Sequence, residues 1–231
     1  MFRNTNFHDL IDSLIRTIEL RDIYTAGHSK RVSEISELIC SEMNIAGMER
    51  EYIHMAAHLH DIGKMGIADG ILLKPERLTD PEYILLQQHP VIGSSVFDKF
   101  KELRQMSSII KHHHERFDGL GYPSGLKGNE IPLGAQIISI ADTFDAMTTT
   151  RPYRPSLEVE EAAKEIVRNK GKQFNPKLVD VFSKVFKKKK NIIKTITKNY
   201  HANDRRRLYK PFCSIKTNVQ KNELVKNIRT K

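Results

Sequence analysis

Leu10, Leu14 and Ile18 recur every four residues, Val32, Ile35 and Ile39 follow a three-four rhythm, and Ile53, Ala56, Ala57 and His60 continue it. Residues three and four apart share one face of an α-helix, so each set describes a helix with one side turned to a core. The same spacing predicts helices near 7–21, 29–43, 48–61, 80–88, 91–99, 103–114, 132–147, 157–169 and 176–187. Strand signals are poor, because no Asn-Gly or Asp-Gly pair joins two alternating apolar runs. Asp118-Gly119 instead opens a stretch containing Gly121, Pro123 and Gly125, which reads as a long loop. The expected fold class is all-α, a compact helical bundle with one Gly-rich loop over one face.

Charge divides this chain unevenly. Residues 1–182 hold 22 Lys+Arg against 26 Asp+Glu, whereas residues 183–231 hold 16 against 2. The expected organisation is a mildly acidic body over 1–183 and a basic tail over 184–231, partly disordered, opening on Lys187-Lys188-Lys189-Lys190. The tail mixes lysine and arginine with Ile192, Ile193, Ile196, Tyr200, Tyr209 and Phe212. Clustered basic charge attracts polyanions, so nucleic acid or an anionic membrane stands as a candidate contact beside a simply solvated extension. No apolar run is long enough for a membrane-spanning helix, and Asp9, Asp12 and Glu19 interrupt any signal-peptide core. Cys40 and Cys213 form no C-x-x-C pair, which excludes a disulfide scaffold and suggests a reducing, cytoplasmic home.

The candidate chemistry lies in histidines and carboxylates. His60-Asp61 ends an apolar helix, with Gly63 just beyond to stop it. Adjacent helical residues point about 100° apart, so two neighbours converge on one centre more easily at a helix end than in its middle. Asp142 shares a helix face with Ala135, Ile138 and Ala146, where a carboxylate is costly unless it is paired or bound to a metal. His113-His114 ends another helix just before the Gly-rich loop. His54 and His58 have the i, i+4 spacing of a zinc pair but lack the metalloprotease glutamate and a third ligand, so they receive no functional role. A single His-Asp pair is common and a buried Asp is often half of a salt bridge; the argument rests on the set.

Taken in order, the set is His28-Ser29-x-Arg31-Val32, His60-Asp61-Ile62-Gly63-Lys64, His89-Pro90-x-x-Gly93, the block from His113 to Pro123, Asp142 to Met147, and Arg151-Pro152-Tyr153-Arg154. It resembles the HD-GYP family, cyclic-dinucleotide phosphodiesterases of the HD metal-dependent phosphohydrolase superfamily, over roughly residues 8–182. The resemblance implies metal ligands at His28, His60, Asp61, His89, His113, His114 and Asp142, with Asp61 bridging. A mixed imidazole and carboxylate shell suits iron or manganese, with zinc as the alternative. It implies hydrolysis of cyclic di-GMP to linear pGpG, or onward to GMP, by attack of a metal-bridging hydroxide on phosphorus. Asp61 and Lys64 would be catalytic, Lys64 beside the scissile phosphate, with Tyr122, Arg151 and Arg154 on the substrate. Glu115 is expected to orient an imidazole N–H, Asp118 to order the loop, and Gly119 and Gly121 to take positive φ. Tyr24 stands where three-metal members carry a glutamate, which favours two ions over three. Alternatives are another cyclic dinucleotide, such as cyclic GMP-AMP, or a weakly catalytic module that recruits signalling partners; a homodimer or a signalling protein is the expected protein partner.

Overall fold

In the computed structural model the described residues are Ile15, Thr17, Arg21, 27–150 and 155–208. From residue 27 onward they form nine α-helices: α1 (His28–Glu42), α2 (Gly47–Leu59), α3 (Asp69–Leu72), α4 (Asp80–Leu86), α5 (His89–Ser95), α6 (Arg104–His112), α7 (Leu133–Thr148), α8 (Val159–Arg168) and α9 (Pro176–Leu208). Short 3-10 turns lie at Ile62–Gly66, Lys101–Leu103 and Gly128–Glu130. No strand occurs among the described residues, as the all-α reading expects. The helix expected over 7–21 falls mostly outside the described residues, although Ile15 is buried in the core.

The centre of the bundle is α7, which packs against α1, α2, α6, α8 and α9. Ile137, Ile138, Ile140, Ala141 and Phe144 are all fully buried, and a helix apolar around most of its circumference belongs inside. Val32, Ile35 and Ile39 of α1, Ile53, Ala56 and Ala57 of α2, and Ile109 and Ile110 of α6 meet it. Gly134 permits the close approach: a Cβ there would lie 2.6 Å from Ile109 Cδ1 and 2.8 Å from Ile53 Cγ1. A second close crossing sets the turn at Ile62–Gly66 on α5. A Cβ on Gly63 would lie 1.9 Å from the His89 carbonyl oxygen and 2.5 Å from the Gly93 nitrogen.

The charge boundary drawn near Ser183 falls inside α9, which continues to Leu208 with one non-helical residue at Lys189 (φ −122°, ψ 24°). Phe182, Val185, Ile193 and Ile196 are buried, so the apolar face runs through the lysine-rich stretch. The lysines dock on the body in pairs: Lys184 and Lys188 on Glu42, and Lys190 and Lys194 on Glu160. The basic composition masked this face, because the apolar positions stand three or four apart among lysines. Residues 209–231 lie outside the described residues. No helix among the described residues is long and apolar enough to cross a membrane.

Candidate metal centre

Four helix ends and the middle of one helix meet at a point. His28 is the first residue of α1, His60-Asp61 follow α2, His89 opens α5, His113-His114 follow α6, and Asp142 lies within α7. At such ends the backbone ladder is incomplete and side chains can turn across the axis. The donor atoms fall into three overlapping sets, each within 4.8 Å: His28, His60 and Asp142; His60, Asp61 and His113; and His89, His113 and His114. All seven residues singled out from the sequence are therefore brought together. Asp61 sits between the sets, with Oδ1 3.4 Å from His89 Nε2 and Oδ2 3.5 Å from His60 Nε2 and 3.8 Å from His28 Nε2. His28 Nε2 also lies 3.3 Å from Asp142 Oδ1.

The rings are held so that Nε2 faces inward. His60, His89 and His113 each donate Nδ1–H to the carbonyl three residues earlier, Ala57, Leu86 and Ile110, at 2.8, 2.8 and 2.7 Å. That contact fixes the tautomer and leaves Nε2 as a lone pair. The Nε2 atoms of His89 and His113 are buried without a hydrogen-bond partner. A buried polar atom without a partner is costly, and two inward lone pairs beside a carboxylate match a divalent cation. Burial pushes His89 down to about 3 and His114 down to about 4, and holds His113 well below the ordinary histidine range, so these rings are neutral and able to ligate. His28 goes the other way: burial opposes its charge, but hydrogen bonds to Asp142 and Asp145 hold it up at about 9. Burial also works against the Asp61 carboxylate, yet Lys64 and the surrounding imidazoles keep it well below the usual carboxylate range.

Asp145 and Arg31 stand in the sequence motifs but carry no assigned role there. Asp145 accepts the His28 Nδ1 proton at 2.7 Å and takes a two-pronged contact from Arg31 Nε and Nη2; both residues are fully buried. The signal was spacing: Asp142 and Asp145 are three apart on α7, and His28 and Arg31 three apart on α1, so each pair shares a face.

A cavity of about 710 Å³ opens over the cluster, a size usual for small-molecule sites. Lys64 and Tyr122 line it, with Arg116 and Gln173. Lys64 Nζ donates to Asp61 Oδ2 at 2.6 Å, and the Tyr122 ring stacks on His114 with centroids 4.8 Å apart. Gly119 takes the expected left-handed φ of 82°. Gly121 does not; it is needed for closeness, since a Cβ there would lie 2.4 Å from the Arg116 nitrogen and 2.6 Å from the His114 oxygen. Glu115 orients no imidazole among its described contacts. Its two buried oxygens accept the backbone N–H of Ser124 at 2.7 Å and of Leu126 at 3.1 Å, which pins the loop. Asp118 orders the loop as expected, through the Leu120 N–H and the Arg116 guanidinium. Arg151, Arg154 and Tyr24 lie outside the described residues.

A family model described as HD domain matches residues 12–178, most of the chain. The chain belongs to the HD domain family. This HD-domain chain is 40% identical over 189 residues to a cyclic di-GMP phosphodiesterase of Thermotoga maritima, covering 79% of the chain and 51% of that relative. It is 38% identical over 174 residues to the cyclic di-GMP phosphodiesterase response regulator RpfG of Xanthomonas campestris, covering 74% and 46%. The chain thus spans about half the length of these curated relatives. Its fold resembles a solved cyclic GMP-AMP specific phosphodiesterase of Vibrio cholerae, with a TM-score of 0.62, 21% identity, and coverage of 82% of this chain and 52% of the other.

Proposed function

We propose that this HD-domain chain is a metal-dependent phosphodiesterase that opens cyclic di-GMP to linear pGpG. The observation that carries the reading is Asp61, whose two oxygens face two different histidine sets on the floor of a ligand-sized cavity. On this reading His28, His60 and Asp142 would hold one divalent ion and His89, His113 and His114 a second, with Asp61 beside both sets. The donor set, with no thiolate in it, favours iron or manganese over zinc. Two such ions, when bound, lower the pKa of water and neutralise charge on phosphate oxygens.

The chain's own groups do the rest. The three backbone-anchored imidazoles keep their lone pairs inward, so no ring reorganisation precedes loading. The Lys64 ammonium stands on the cavity wall, where it offsets negative charge as phosphorus gains a fifth oxygen. The loop pinned by Glu115 sets Tyr122 as a flat wall against which part of a nucleotide rests. Arg151 and Arg154 are the proposed grips on the second phosphate or a guanine edge. The names of the 40% and 38% identical relatives support the substrate. The complete ligand set argues for turnover rather than for a recruiting module. Cys40 is a buried free thiol, in keeping with a cytoplasmic site of action.

The test is anaerobic loading with iron(II) or manganese, incubation with cyclic di-GMP, and chromatography of the products. The reading expects pGpG, with activity abolished in Asp61→Ala while the helical circular dichroism is retained. A fully loaded wild-type protein that leaves cyclic di-GMP intact overturns it. Faster cleavage of cyclic GMP-AMP in a parallel reaction reassigns the substrate.

A further inference from the structure

Arg21 stands seven residues before His28, and its side chain reaches a segment more than 40 residues further along the chain. Its Nη1 donates to the carbonyls of Lys64 and Met65 at 3.0 and 2.9 Å, its Nη2 to the carbonyl of Ile67, and its Nε to Asp69 Oδ1 at 2.9 Å. These carbonyls close the Ile62–Gly66 turn, where the last acceptors of a short helix lack partners within it. All three guanidinium nitrogens are engaged, in a planar fork that an ammonium cannot reproduce.

The residue most constrained by this contact is Lys64. Its N–H donates to the Asp61 carbonyl at 2.9 Å, and its own carbonyl accepts from Arg21 and from the Ile67 N–H. With its backbone held from both sides, its ammonium is delivered to Asp61 Oδ2 at 2.6 Å. The inner side of the same turn is fixed by the Gly63 contact with α5. Arg21 supplies the outer restraint and does not line the cavity.

We infer that Arg21 is a positioning residue that sets the Lys64 ammonium against the substrate phosphate. The inference rests on the phosphodiesterase reading above. Arg21 thus ties the turn that carries Lys64 to a position seven residues before His28 in the sequence.

A double-mutant cycle tests it. Arg21→Ala in the manganese-loaded chain should lower kcat by ~10- to 100-fold, the scale of a misplaced group near 1 Å, with KM and metal content little changed. In a Lys64→Ala background the same substitution should change kcat by less than about twofold, because its target is gone. An equal loss in both backgrounds overturns the inference, since a merely structural role acts with or without Lys64. If Arg21→Ala does not fold, Arg21→Lys takes its place in the cycle; it keeps the charge facing Asp69 and loses the fork, so it should show the same loss. Full activity in Arg21→Lys overturns the inference. Wild-type turnover is measured alongside: an inactive wild type rejects the phosphodiesterase reading, whereas an active wild type with an additive cycle rejects only the role of Arg21.

Discussion

Replacing Asp145 by asparagine removes one charge and almost no volume. In the native protein that carboxylate faces the Arg31 guanidinium through two contacts and accepts the His28 Nδ1 proton at 2.7 Å, and all three residues are buried. Breaking a buried ion pair from one side costs about 3–5 kcal/mol, chiefly because the remaining charge is left uncompensated. Asparagine retains a carbonyl acceptor, so the lower end, about 3 kcal/mol, is expected. For a body of this size that corresponds to a fall of about 6–12 °C in Tm. The second consequence is at the metal: the His28 Nδ1 proton then faces a neutral amide in place of a carboxylate, with one carbonyl to serve both His28 and Arg31, so the ring is held less firmly and affinity should fall by ~10- to 100-fold. Burial opposes the Asp145 charge, but His28 and Arg31 hold its carboxyl below the ordinary range. A depressed folded-state pKa contributes stability that is complete above the unfolded value near 4 and is lost as pH falls below it. The gap between wild type and Asp145→Asn should therefore be full at pH 7 and narrow as pH drops below about 4. Thermal melts of chelator-treated protein at several pH values, with manganese titration calorimetry at pH 7, measure both effects. A variant that melts within about 2 °C of wild type and binds manganese equally well would refute the role assigned to Asp145.

Three further perturbations probe other parts of the site. Gly63→Ala forces a Cβ to 1.9 Å from the His89 carbonyl oxygen, so stability should drop by about 1–3 kcal/mol and manganese should bind more weakly; an unchanged denaturation midpoint contradicts the crossing described here. Glu115→Gln takes one acceptor from the Ser124 and Leu126 N–H groups, at about 1–3 kcal/mol. Hydrogen exchange at residues 119–127 should quicken and turnover fall while metal content stays constant, and unaltered exchange would dismiss the pin. Manganese binding to the metal-free protein at pH 7 should release about one proton, from His28 held near 9, and should tighten as pH rises toward that value; calorimetry in buffers of different ionisation enthalpy reads the number, and zero release would contradict it.

Much of the bundle is legible in the spacing of apolar residues, because α1, α2 and α6 each turn one regular face toward the core, and in the near-continuous apolar run of α7 at its centre. His60-Asp61 and His113-His114 were visible as chemistry at helix ends, and Asp142 as a carboxylate on an apolar face. Asp145 was not, since a second acid on the same face reads as redundancy until the partner at Arg31 is known from packing. Glu115 could not be told from an imidazole-orienting group, because its acceptors reach backbone N–H groups, which every residue but proline carries. The end of the bundle was misplaced at Ser183 for a related reason: charge counts treat a lysine on a solvated face and a lysine in a tail alike, whereas burial of Val185 and Ile193 separates them.

The rings of the cluster are oriented by different kinds of atom. For His60, His89 and His113, ring orientation is written by main-chain carbonyls, which no point mutation deletes and no acid titrates. For His28 it is written by the Asp145 carboxylate, which a single substitution can replace. The centre therefore has three hard-wired rings and one adjustable one. Substitutions that leave every donor in place can still retune the cluster, and they do so through the His28 ring.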